Sequence, residues 1–125
     1  MKVIITDEQR FNVVIKWLNR KFGSLTPINK VENSSSEKFD ITYYVEDNKN
    51  IIFYYINEKI KGKDYKGYLH ISNKVWDILR TSFYMEHDEI QEVLRVWTNE
   101  TYNIKNVKRP YIYQTPQYVL DKVEL

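Results

Sequence analysis

The chain has no cysteine and no alanine, and only 3 glycines, 3 prolines and 2 histidines in 125 residues. Each scarcity excludes something. Without cysteine there is no disulfide framework, no thiolate nucleophile and no thiolate-ligated zinc or iron–sulfur centre. Three glycines leave little material for a loop that cradles phosphate, and neither a P-loop nor a dinucleotide fingerprint is present. No G-x-S-x-G elbow marks a hydrolase. His70 and His87 stand in neither an H-E-x-x-H nor an H-x-H spacing, so no metal and no other cofactor is expected. No apolar run approaches the roughly 18 residues of a membrane-spanning helix. Neither sign of charge dominates, since 19 Lys+Arg face 17 Asp+Glu for a net +2.

What is present describes a single globular domain, long enough to bury roughly two thirds of its unfolded surface. Met1-Lys2-Val3-Ile4-Ile5 runs into Thr6-Asp7-Glu8 after three apolar residues, too few for a signal peptide, so secretion by that route is not expected. Isoleucine and lysine (14 each) and asparagine and tyrosine (11 each) have AT-rich codons, which points to an AT-rich genome. The same bias inflates lysine and tyrosine irrespective of any binding role.

Thr6-Asp7-Glu8-Gln9 forms a T-x-x-Q capping box, and Phe11, Val14, Ile15, Leu18 and Phe22 recur at helical spacing before Gly23, so a helix is predicted over 7–22. Ser24 to Lys38 shows no sustained period and reads as a loop. Phe39, Ile41, Tyr43 and Val45 alternate with polar residues as in a half-buried strand, and Ile51 to Ile56, apolar on both faces, belongs at the centre of a sheet. A longer hairpin leads to a third strand at Tyr68 to Ile71. Ser72 or Asn73 can cap a helix carrying Val75, Trp76, Leu79 and Phe83, and Asp88-x-x-Gln91 reads as the start of another with Ile90, Val93, Leu94 and Trp97. The expected fold is therefore α+β in the order α-β-β-β-α-α: a three-stranded antiparallel meander packed on helices in two layers, spanning 1–103. Residues 104–125 read as a tail, with Thr115-Pro116 able to start one short helix.

Candidate chemistry is sparse. Lys59, Lys61, Lys63, Tyr65 and Lys66 form a basic hairpin with a stacking aromatic, a pattern suited to a phosphate backbone or single strand and equally to a solvated turn. Lys105, Lys108 and Arg109 form a second basic cluster, positioned either to join the first in space or to remain a linker. Asp77, Glu89 and Glu92 lie on polar helix faces, where charge normally means solvation, and no enzymatic acid–base pair is expected of them. Tyrosine is favoured at interfaces because it offers large apolar area with a polar tip and few rotamers to freeze. On that ground Tyr111, Ile112, Tyr113, Tyr118 and Leu120 of the tail are the expected partner-docking segment, with Tyr44 and Tyr54 on the sheet second.

Met1 to Gln9, the strand pair Ile51 to Tyr55 and Tyr68 to Ile71, and Glu89-Ile90-Gln91-Glu92-Val93-Leu94-Arg95-Val96-Trp97 together resemble small uncharacterised proteins of tailed bacteriophages with AT-rich genomes. The resemblance covers about half the chain and implies origin rather than activity. It places the protein in the host cytoplasm or the virion. Taken together, these features predict a non-enzymatic protein that acts by protein–protein contact, with another protein or its own copy, as a small structural or accessory virion component. The alternatives are a nucleic-acid-binding accessory protein using the basic hairpin, and an antidefence inhibitor of a host protein. No small-molecule substrate and no membrane contact are expected.

Overall fold

The computed structural model describes residues 6–34, 37–47, 49–60, 63–105 and 107–125; for 33–34, 37–38, 58–60, 63–66 and 107–111 it describes backbone alone. The elements are α1 (Asp7–Phe22), β1 (Thr26–Ser34), β2 (Glu37–Glu46), β3 (Asn50–Ile60), β4 (Lys63–Ser72), α2 (Asn73–Thr81), α3 (His87–Tyr102), β5 (Val107–Thr115) and α4 (Gln117–Asp121). The capping box closes α1 as its residues dictate: Thr6 Oγ1 accepts from the Gln9 amide at 3.2 Å, and Gln9 Oε1 accepts from the Thr6 amide at 3.0 Å. Ser72 caps α2 by accepting from the Lys74 amide. Helix α3 begins two residues earlier than its acidic start implied. Glu86 is its cap, with Glu89 reaching back to the Glu86 amide, and it ends at Asn103 in the left-handed conformation that asparagine tolerates.

The fold is α+β, but the sheet has five strands in the order β1-β2-β3-β4-β5 instead of three. Strands β1 to β4 pair antiparallel, with β3 at the centre as its two apolar faces required. Two expectations are corrected here. The stretch read as a loop from Ser24 holds β1, whose polar alternation suffices at an edge because the ladder to β2 supplies the stability. The tail is no tail: β5 pairs parallel with β4 after a crossover through α2 and α3, and α4 follows Pro116.

Helices α1, α2 and α3 cover one face of the sheet. Val14, Leu18, Trp76, Leu79, Ile90, Leu94 and Trp97 meet Tyr44, Phe53, Leu69, Ile71 and Ile112 there. At its centre Phe53 stacks on Tyr44 at 4.3 Å and meets the edges of Trp97 and Tyr102 at 5.6 and 5.5 Å. The opposite face holds a smaller cluster of Ile41, Tyr43, Val45 and Ile51 under Leu120 of α4. Among the described residues the short α4 is the one helix on that face, which it reaches through Leu120 with Val123 beside it. None of the described helices is long and apolar enough to cross a membrane.

Candidate functional site

The second face is built by register. Ile28, Tyr43, Tyr54, His70 and Tyr113 pair successively across all five strands. The four rings form a column: Tyr43 to Tyr54 at 5.4 Å, Tyr54 to His70 at 4.6 Å and 6°, His70 to Tyr113 at 5.1 Å and 28°. Tyr68 adjoins it at 6.2 Å from Tyr113. These spacings match the roughly 4.7–4.9 Å between strands, so the rings face one another across the strands, with Tyr43 buried, Tyr54 and His70 half-buried and Tyr113 exposed. The sheet is therefore not a flat stacking platform. Strand β5 is an edge, and Tyr113, 41% exposed, ends the column there.

Burial pushes the His70 imidazole below its ordinary range, leaving the ring neutral near pH 7, and its Nδ1 lies 3.2 Å from Thr115 Oγ1. Burial raises the Tyr54 phenol, the neighbouring Tyr43 adds to the rise, and a hydrogen bond with Thr115 opposes it. Gln117 ties α4 to the sheet: it takes a hydrogen bond from Ser72 Oγ and donates to the Ile51 carbonyl at 3.2 Å. Gln91, buried on α3, donates to the Ile112 carbonyl at 2.7 Å and clips β5 to the helical layer.

The β4–β5 ladder carries an irregularity. Between the pairs Gly67–Val107 and Leu69–Ile112, β4 advances two residues and β5 advances five, so three residues of β5 are without a register partner opposite Tyr68. Lys108, Arg109 and Pro110 fall in that stretch. A proline is tolerated there because the ladder asks for no donor. The parallel pairing sets Val107, the residue before this basic stretch, opposite Gly67, which follows Lys66 on β4; Lys66 itself faces Glu58 on β3, Lys59 faces Asp64, and Lys63 faces Ile60. Along these backbones and the exposed Lys105 there are six Lys and Arg against two acids, Glu58 and Asp64. In a chain of net +2, everything else therefore carries more acid than base.

The expected site residues fare differently. Ile112 and Leu120 are buried in the chain's own two clusters, and Tyr44 lies beneath the helices, so none of the three is available to a partner. The apolar pattern that marked them as docking residues is what docks β5 and α4 onto their own sheet. Tyr113 and Tyr118 are exposed, and Tyr54 is half-buried in the column. Lys61 lies outside the described residues, as do the side chains of Lys59, Lys63, Tyr65, Lys66 and Tyr111. Sequence reasoning missed His70 and Tyr68 as members of the ring column, because only the register aligns them.

The helical carboxylates are in ion pairs: Asp77 with Arg80 at 3.4 Å, Glu92 with Arg95, and Glu89 with Arg10. His87 packs against Trp76 at 5.3 Å. Among the described residues no cluster of three His, Asp or Glu could hold a metal ion. Comparison with protein-family models, curated proteins and solved structures returns no match.

Proposed function

We propose that this chain is a non-enzymatic accessory protein that binds single-stranded nucleic acid along β5, in the tailed-phage setting its sequence resembles. One observation supports the reading: the parallel pairing of Gly67 with Val107 brings the end of one basic cluster, at Lys66, near the start of another, at Lys108 and Arg109, on the edge strand that carries Tyr113. A base stacked on Tyr113 continues the column past the sheet edge, where any base offers a π-face. Val107 and Tyr113 pair with Gly67 and His70, three residues apart on β4, so the basic stretch between them lies within roughly 10 Å of Tyr113 at strand rise, a reach of about two nucleotides. Lysine and arginine there neutralise phosphates without reading sequence.

Fluorescence polarisation with a labelled 12-nucleotide oligo-dT tests this. The logarithm of the association constant should fall linearly with log salt, with a slope of about −0.7 per phosphate neutralised. Reversing Lys66, Lys108 and Arg109 to Glu should flatten that slope, and Tyr113→Ala should weaken binding about tenfold at unchanged slope. No binding at low salt, or variants that leave the slope alone, would sink the reading.

The second reading is a protein partner, either in the virion or as a host target. Tyr118, 65% exposed, stands beside exposed Val119 on α4 and favours it. A partner held there would be retained at high salt and lost with Tyr118→Ala, while the oligonucleotide titration stayed blank.

A further inference from the structure

The two sheet edges differ in what they can accept. Strand β5 cannot extend the ladder, since Pro110 has no N–H and the surrounding residues are out of register. Strand β1 is interrupted only near its start, at Pro27, and residues 28–34 run continuously along β2 with no strand on their other side among the described residues. Their sequence is Ile28-Asn29-Lys30-Val31-Glu32-Asn33-Ser34, with opposite charges one residue either side of Val31.

We propose that β1 pairs antiparallel with β1 of a second copy about a two-fold axis through Val31, joining two five-stranded sheets into one of ten. In that register Val31 meets Val31, Lys30 meets Glu32 of the second copy at two symmetric places, and Asn29 opposes Asn33. Moving the axis by one residue sets Lys30 against Lys30 or Glu32 against Glu32, which like-charge repulsion disfavours. Val31 is 46% exposed at a bare edge, and its own copy would cover it. An edge lysine ordinarily discourages strand addition. Here a glutamate two residues on converts that device into a selector for one register and for one partner, the same chain. The Lys30 ammonium also reaches the Glu124 carbonyl, which occupies one of its three donors. This inference is independent of the nucleic-acid reading, because it uses the other edge of the sheet.

Sedimentation velocity over about 5–500 µM protein is the test, applied to the wild type, Lys30→Glu, Glu32→Lys and the double variant. The wild type should associate to a dimer that weakens as salt rises from about 50 mM to 1 M. Each single substitution makes both symmetric pairs like-charged and should weaken association roughly tenfold or more. Mixing the two single variants should restore a heterodimer, because every facing pair is again of opposite sign, and the double variant should regain wild-type association. A wild type that stays monomeric throughout would overturn the proposal. So would a dimer indifferent to salt and to both substitutions, or folded single variants, checked by circular dichroism, that fail to combine.

Discussion

At the scale of the residue, His70 concentrates what is unusual about the second face. Its ring is held between Tyr54 and Tyr113 with Thr115 at Nδ1, and burial disfavours its charged form. A histidine whose folded pKa lies below its unfolded value of about 6.5 binds fewer protons when folded than when unfolded over the interval between them. Stability is therefore fully present above about 6.5 and is lost as pH falls through that interval. Urea midpoints measured from pH 7.5 down to 5 should decline in the wild type, and His70→Phe, which keeps the stacking and removes the proton, should flatten the decline. The buried phenols act at the other limit. Burial raises Tyr43, Tyr44, Tyr54 and Tyr102, so their protons are held more tightly in the folded chain, and alkali above about pH 10 should destabilise it.

At the scale of the element, β5 has to be held by more than its ladder, since that ladder is irregular where Lys108 to Pro110 fall. The Gln91 amide supplies a fixed point from α3, and Ile112 beside it is 2% exposed. Replacing Gln91 by Leu keeps the volume and removes the donor, leaving the Ile112 carbonyl short of a partner in a buried place. The same change removes Gln91 Oε1, which is buried without a hydrogen-bond partner, so the expected net cost is about 1 kcal/mol, read as a lower urea midpoint at unchanged slope. The helices are joined by comparable single groups: Asn19 Oδ1 accepts from Trp97 Nε1 at 3.0 Å and from Thr101 at 2.8 Å, tying α1 to α3. Helix α4 has only five residues, too few to persist alone, and depends on Leu120 seated in the second cluster and on Gln117 bonded at its start.

At the scale of the whole molecule, both hydrophobic clusters need the last fifth of the chain. A chain ending at residue 104 would uncover Leu69 and Ile71 along β4 and remove Leu120 from Ile41, Val45 and Ile51. It should lack the cooperative urea transition of the full chain and bind a hydrophobic dye, whereas an independent 1–103 domain would unfold cooperatively. How far the fold was legible follows from the range of each signal. Helices α1 to α3 announce themselves within a turn or two through Thr6–Gln9, Ser72 and their apolar stripes, and β2 and β3 through alternation or continuous apolarity. Strand β1 was not legible, since Asn29, Lys30, Glu32 and Asn33 give an edge strand no apolar face to betray it. Strand β5 was hidden for another reason: its partner lies about forty residues back, and nothing local in Tyr111-Ile112-Tyr113 separates a strand from a docking peptide. The candidate site shares that limit, for both basic clusters are visible in the sequence while their adjacency is a product of the crossover. The same crossover governs biosynthesis. Strand β4 is made about forty residues before its parallel partner β5, so it stands as an unpaired edge until the α2–α3 crossover has followed it, and that edge is the stretch most open to misassociation before the sheet closes.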